Sequence, residues 1–405
     1  MTLHAAPPDL DRAAEPAAST HDAIVVGARV AGAATAMLLA RQGLRVLLLD
    51  RAAAPGSDTL STHALMRGGV LQLHRWGLLD ALRASGAPAV RRVTIHYGDE
   101  AEPIDLKERG GVDSLYGPRR TVLDPLLVEA AAAAGADVRY GIAVQGLLWQ
   151  GERVVGVEGR DAAGSRLSAR APLVIGADGM LSLVARSVGA AYSWQGRHSS
   201  AFVYGYFAGV DLEGYEWLYR EGGGAGIIPT HDGEACVWIG APTERFLGEL
   251  RHDLEEGFLR VLAEVSPSTY ERVAGGERRG RLRGFPGVPG YLRRPWGPGW
   301  ALVGDAGSYV DALSAHGISS ALRDAELLAG AAVAAHRGER GSRPWQEYER
   351  LRDAVSLDLA TITDEIAGYG WSLAELRPLL LASSKAMARG VLAVEELDRA
   401  AAAAA

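Results

Sequence analysis

Cysteine is nearly absent: Cys236 is the only one in 405 residues. A single thiol closes no intramolecular disulfide and builds no thiolate metal site, so a reducing compartment, the cytoplasm, is the expected location. Lysine is as scarce. Lys107 and Lys385 are the only two, and arginine supplies the rest of the positive charge. The net charge of −7 lacks the basic surplus a phosphate backbone requires, which argues against a nucleic-acid partner. No stretch reaches the 18 or so uninterrupted apolar residues of a membrane span, so no stable membrane association is expected. The histidines show no metal-ligand spacing, His198 and His231 reading as surface or turn positions. Neither a Gly-x-Ser-x-Gly elbow nor a Walker loop occurs, which removes hydrolase and NTPase chemistry. The opening MTLHAAPPDLDRAAEPAAST has no apolar core behind a basic start, so residues 1–20 read as a disordered tail rather than a secretory signal.

What the chain does have is a globular composition, 48% hydrophobic and 22% charged. AIVVG at 23–27 is a short buried strand, AGAATAMLLARQ at 31–42 a helix without proline, and RVLLLD at 45–50 a second strand. Strand, glycine turn, helix and strand in that order begin a parallel βαβ unit. A helix over RTVLDPLLVEAAAAAG leads to the strand-like DVRYGIAVQGLLW, and APLVIGADG at 171–179 and ALVGDAG at 301–307 are each an apolar strand ending in Gly and Asp. Residues 198–241 change character: SAFVYGYFAGV, YEWLYR, GAGIIPT and EACVWIGA alternate between glycine turns, as antiparallel strands do. A helix around 246–265 and the basic stretch ERRGRLRG at 277–284 lead back to the first domain.

In a dinucleotide fingerprint the first glycine makes the sharp turn, the second admits the pyrophosphate to the backbone, and the third lets helix and strand pack. Gly27 and Gly32 hold the first and third positions; Arg29 holds the second. The helix N-terminus persists there, and a guanidinium can lie beside the phosphates. Asp50, 18 residues after Gly32, ends the second strand where a carboxylate accepts hydrogen bonds from an adenosine ribose. Arg51 beside it joins the candidate cofactor set.

One hairpin does not separate NAD from FAD, but the trio of fingerprint, GADG at 176–179 and GDAG at 304–307 resembles the FAD-binding pattern of the aromatic hydroxylase (class A flavoprotein monooxygenase) superfamily, over roughly residues 23 to 336. The resemblance implies that Asp305, after Gly304, faces the ribityl chain, and that SAHGISS at 314–320 starts a helix by the flavin pyrimidine ring, with Gly317 and Ile318 offering backbone N–H groups. It implies that Asp178, with Gly179, organises flavin and reductant binding, that Arg67 in ALMRGG lies beside the flavin or its phosphates, and that Arg120 opens a helix near the cofactor. His316 is then near the flavin edge, for proton transfer or as a helix cap. Ala312 departs from the proline many relatives carry after this aspartate. Tryptophan halogenases have Trp-x-Trp-x-Ile-Pro, and geranylgeranyl-type reductases Tyr-x-Trp-x-Phe-Pro, where this chain reads GAGIIP with Gly224 and Gly226; both assignments fail at those positions, and Lys107 sits in a segment without a motif.

The expected fold is α/β: a Rossmann-like FAD-binding domain (21–98, 119–190 and 281–343), an inserted mixed or antiparallel sheet for substrate (99–118 and 191–280), and C-terminal helices (344–405). Tyr204, Tyr206, Trp217, Tyr219 and Trp238 are the candidate lining of a pocket for a small molecule. The leading expectation is an FAD-dependent monooxygenase hydroxylating a small aromatic or polyketide-like molecule through a C4a-hydroperoxyflavin, with NAD(P)H as transient reductant or a separate flavin reductase supplying electrons. An FAD-dependent reductase or dehydrogenase and a flavin-scaffolded, non-redox cyclase are the rivals.

Overall fold

The computed structural model describes residues 21–57, 59–339 and 341–404, with side chains described up to 397; the tail expected over 1–20 lies outside the described residues. Its first layer is a six-stranded sheet in the order Trp296–Gly297, Trp300–Leu302, Leu173–Gly176, Ala23–Val26, Val46–Leu49, Asp137–Arg139. From Trp300–Leu302 to Asp137–Arg139 all neighbours run parallel. AIVV and VLLL are buried along their whole length, the continuous apolar reading of a sheet covered on both faces. One cover is the helix Val30–Arg41, packed against the helices Arg120–Ala133 and Gly317–His336 in a core rich in alanine and leucine. The other is a three-stranded antiparallel sheet, Ala143–Gln150, Arg153–Arg160 and Arg166–Arg170.

A seven-stranded sheet forms the second layer, in the order Glu277–Phe285, Ser200–Ala208, Glu234–Pro242, Gly223–Pro229, Tyr215–Arg220, Arg92–Tyr97, Glu100–Asp105. Two features differ from the sequence expectation. ERRGRLRG is not a return path: it is the edge strand Glu277–Phe285, paired antiparallel with Ser200–Ala208, and its exposed charges suit an edge that must not pair further. Arg92–Tyr97, placed above with the FAD-binding part, pairs parallel with Tyr215–Arg220 and so belongs to this sheet. That pairing joins residues more than a hundred positions apart, a juxtaposition no local pattern encodes. The sheet is therefore mixed. One face packs on the helices Leu254–Val265 and Pro267–Ala274; the other turns its aromatic residues toward the first layer.

The C-terminal segment forms the helices Arg343–Ala367 and Leu373–Ala404. They do not stand apart. Tyr348, in the first, is buried in the core of the six-stranded layer and donates its hydroxyl to Leu302 O at 2.7 Å, while the second lies over the aromatic face of the seven-stranded sheet. Among the described residues no helix is long and apolar enough to cross a membrane, and no group of three or more His, Cys, Asp or Glu could hold a metal.

Candidate functional site

Three loops leave the carboxyl ends of adjacent parallel strands, where open α/β sheets bind ligands. The structure brings them into contact. Gly27 has φ +104°, and a Cβ there would stand 2.4 Å from Ala177 O in the GADG loop; a Cβ on Gly32 would stand 1.7 Å from Gly27 O, and one on Gly304 2.7 Å from the Ala31 methyl. Side chains at these three positions would push the loops apart, so the glycines of separate motifs are needed for one convergence.

Around it sit the charged groups the sequence singles out. Asp50 accepts from Ala28 N at 2.7 Å and Ala52 N at 2.8 Å, which fixes its carboxylate at the turn, with Arg51 exposed beside it. Arg29 is the exposed N-cap residue of Val30–Arg41 and makes no side-chain cap. Asp305 carries the strongest mark. Its carboxyl pKa is pushed up to about 6 by burial, against the lowering fields of the Arg120 and Arg29 guanidiniums, and it accepts no hydrogen bond from the described residues. Arg120 holds its own carboxylate, Asp124, at 2.7 and 2.9 Å in a buried bidentate pair, so its charge reaches Asp305 without direct contact. Asp178 caps the short helix Leu183–Ser187 through Leu183 N at 2.6 Å and Val184 N at 3.2 Å, leaving Oδ1 buried without a partner.

The turn Ala312–Ser314 lacks proline yet is held. Asp311 accepts from Leu313 N at 3.0 Å and from Ser200 N at 2.8 Å, tying the loop to the seven-stranded sheet. Burial pushes its pKa up to about 6 as well. The loop ends in Ala315 with φ +52°, His316, and the helix Gly317–His336, whose first N–H groups, Gly317 and Ile318, have no backbone acceptor; around Gly317 a Cβ would meet nothing within 4 Å. His316 is buried, makes no side-chain cap, and keeps an unpartnered Nδ1; burial and Arg323 push its pKa down to about 3, so the imidazole is neutral at ordinary pH.

These residues fit FAD. A turn opened by Gly27 and Gly32, a helix N-terminus and an Arg29 guanidinium without an acidic partner among the described residues suit a diphosphate, and carboxylates at Asp50 and Asp305 suit ribose and ribityl hydroxyls.

Next to this end of the molecule lies a cavity of about 580 Å³, between the seven-stranded sheet, the Leu313–His316 loop and both C-terminal helices. Of the five aromatic candidates it is lined by Trp217 and Tyr219. Tyr204, Tyr206 and Trp238 are instead buried in the cluster beneath it, a correction with a physical cause for each. The Tyr204 hydroxyl is taken by Ser61 N and Thr59 O, and that of Tyr206 by His63, with the Arg119 guanidinium 3.4 Å over the Tyr206 ring. Trp238 lies flat over Gly226, where a Cβ would come within 2.6 Å of its indole. The guanidinium of Arg67 donates to Val112 O and Lys107 O, each at 2.8 Å, and so braces the 107–112 loop as part of the cavity wall.

Three groups escaped sequence reasoning. Lys107 lines the cavity opening. Leu380, Met387 and Val391 of the last helix close one side. His63 is buried with φ +68° and an unpartnered Nδ1, its pKa held well below the usual imidazole value by burial and by Arg120 and Arg119. Only the left-handed backbone of His63 had a possible signal, and glycine, the residue that advertises it, is not there.

Residues 20–363 match a family model described as an FAD binding domain. Digeranylgeranylglycerophospholipid reductase 1 of Methanococcoides burtonii is 28% identical over 354 residues, 82% of this chain and 79% of that protein. Among solved structures, the myxobacterial chondrochloren halogenase CndH superposes with a TM-score of 0.74 at 26% identity, covering 82% of this chain and 79% of that one. PqsL of Pseudomonas aeruginosa, described as a probable FAD-dependent monooxygenase, shares the fold with a TM-score of 0.75 at 20% identity, over 89% of this chain and 99% of that one. The similarity thus extends to a halogenase and a reductase, although the two glycines of GAGIIP stand. By the family match and the three converging strand-end motifs, the chain belongs to the FAD binding domain family of FAD-dependent oxidoreductases, the superfamily its motifs resemble.

Proposed function

We propose that the protein is an FAD-dependent monooxygenase of a small, largely apolar organic molecule, of aromatic or polyketide-like character. The observation that carries this reading is the placement of the cavity: its buried end is formed by Ser314, Ala315 and His316, the residues leading into the helix that would face the flavin, and its walls are apolar. When bound, FAD would supply the redox chemistry, two-electron reduction by a reductant of the NAD(P)H type and activation of O2. The chain's own residues bind, orient and exclude water. Asp50 and Asp305 would hold hydroxyls of the cofactor; the N–H groups of Gly317 and Ile318, at a positive helix end, favour negative charge at their mouth. His316, neutral at ordinary pH, keeps Nδ1 free to make one hydrogen bond to a bound molecule without adding a charge to the site. Trp217 and Tyr219 form a flat wall against which a planar molecule can lie.

The test uses the FAD-loaded protein, NADH or NADPH, isotopically labelled O2 and a panel of phenols and naphthols. Substrate-stimulated nicotinamide oxidation with label in the product is expected. The similarity to the archaeal reductase favours a second reading, an FAD-dependent reductase of an apolar alkene. Product that forms equally well without oxygen selects that reading and refutes the first.

A further inference from the structure

The cavity is apolar in depth and cationic at its opening. Arg67, Lys107 and Arg109 line the opening, against the two carboxylates of Glu108 and Glu395. Glu395 is occupied by Arg109 in a bidentate pair at 2.7 and 2.9 Å, and Glu108 accepts from Gly111 N at 2.7 Å. Arg67 spends both Nη groups on backbone carbonyls; burial and the neighbouring Arg109 disfavour its charge, and Glu108 and Asp113 favour it, Asp113 being itself paired with Arg91. The Lys107 ammonium is exposed and meets no acid among the described residues. The helix Arg67–Arg75 adds a third contribution. Its N-terminus borders the cavity at Met66, Arg67 and Gly68, and the N–H groups of Arg67 and Gly68 have no backbone acceptor. At the other end the buried Ser314 and the neutral His316 present no charge. Between them stand hydrophobic walls such as Ile95, Trp217, Ile366 and Leu380.

We infer that the cavity takes an amphipathic organic anion, its carboxylate or phosphate held at the opening by Lys107, Arg67 and the N-terminus of Arg67–Arg75, and its apolar body directed inward past Trp217 toward His316. This rests on reading the cavity as the substrate site. It specifies which end of the substrate remains outside: the charged one, so that the uncharged end meets the flavin side.

The test is binding without turnover, read by calorimetry on the full FAD-loaded chain with decanoate, decyl phosphate and decanol. Both anions should bind about tenfold or more tightly than decanol, the range of a hydrogen bond to a charged group discounted for exposure. Raising salt to about 0.5 M should shrink the preference. Lys107→Gln, at an exposed and unpaired position, should reduce it to about threefold or less while the affinity for decanol holds. A stronger preference for decyl phosphate identifies a phosphate end, and one for decanoate a carboxylate end. Equal affinity for the alcohol and the anions, or a preference that survives Lys107→Gln, overturns the inference. Because no oxygen or reductant is present, failure of the monooxygenase reading leaves these affinities untouched, whereas failure of all three amphiphiles to bind removes the charged opening as a recognition site.

Discussion

Asp305→Asn should stabilise the flavin-free protein and weaken its hold on FAD. In the folded chain this carboxyl has its pKa raised from 3.8 to about 6, chiefly by loss of water. A raised carboxyl pKa means that the folded state binds the proton more tightly than the unfolded one. The penalty is therefore absent below pH 3.8, grows as pH rises, and is complete above 6. Two units at about 1.4 kcal/mol each set a ceiling of about 3 kcal/mol. The residue is only half-buried, so about 1–3 kcal/mol is the expected gain for the neutral amide. Urea denaturation of flavin-stripped protein should show this gain at pH 8 and roughly half of it at pH 5. The same change replaces an ionised acceptor at the ribityl chain by an amide, and hydrogen bonds to charged groups contribute about 1.5–3 kcal/mol, so the FAD dissociation constant should rise about 10- to 100-fold. The two effects have opposite signs. A variant that loses stability and flavin together would mark Asp305 as a structural residue, and one unchanged in both would remove it from the site.

Arg120→Met leaves Asp124, at 4% side-chain exposure, as a buried unpaired carboxylate and should cost about 3–5 kcal/mol by urea denaturation. The double variant with Asp124→Leu should recover to within about 1 kcal/mol of the parent while still retaining less flavin, since the guanidinium facing Asp305 is gone; full flavin retention would deny Arg120 its electrostatic role. Gly226→Ala sets a methyl against the Trp238 indole and should destabilise by about 1–3 kcal/mol, with a shift in tryptophan emission, and Trp238→Leu in the same chain should restore most of the loss. An unperturbed Gly226→Ala protein would mean that the indole does not fill that space.

The cofactor layer was legible because its determinants are local. A glycine that must turn at Gly27, a glycine that must clear a carbonyl at Gly32 and a carboxylate at a strand end, Asp50, each leave their mark within a few residues of the chain. That fingerprint together with GADG and GDAG, in that order, points to the cofactor because each of the three follows a strand of the same sheet. Where the structure departs from the reading, the determinant is a meeting of distant segments. Arg92–Tyr97 has the same alternation whichever sheet it joins, and only the parallel partner Tyr215–Arg220 decides. The hydrogen bonds of the Arg67 guanidinium to the 107–112 loop are likewise a contact between distant segments that its motif does not encode.

The same distinction explains the aromatic residues. Alternation along Ser200–Ala208 correctly puts Tyr204 and Tyr206 on one face, but a face is not a cavity: the 59–66 segment closes over that part of the sheet and takes both hydroxyls, while Trp217 and Tyr219, nearer the last helix, stay open. The glycines at 224 and 226 are informative in a further way. Read alone they report two missing indoles; in the fold, the indole of Trp238 reaches from the neighbouring strand and covers the space over Gly226. That indole lies in the buried cluster beneath the cavity, whose aromatic wall is formed by Trp217 and Tyr219. The shape above that wall is then set by the helix Leu373–Ala404 and the opening at Lys107, neither of which belongs to the flavin fingerprint. A chain can therefore keep its cofactor motifs while its substrate preference is determined by the residues that close the far side of the cavity.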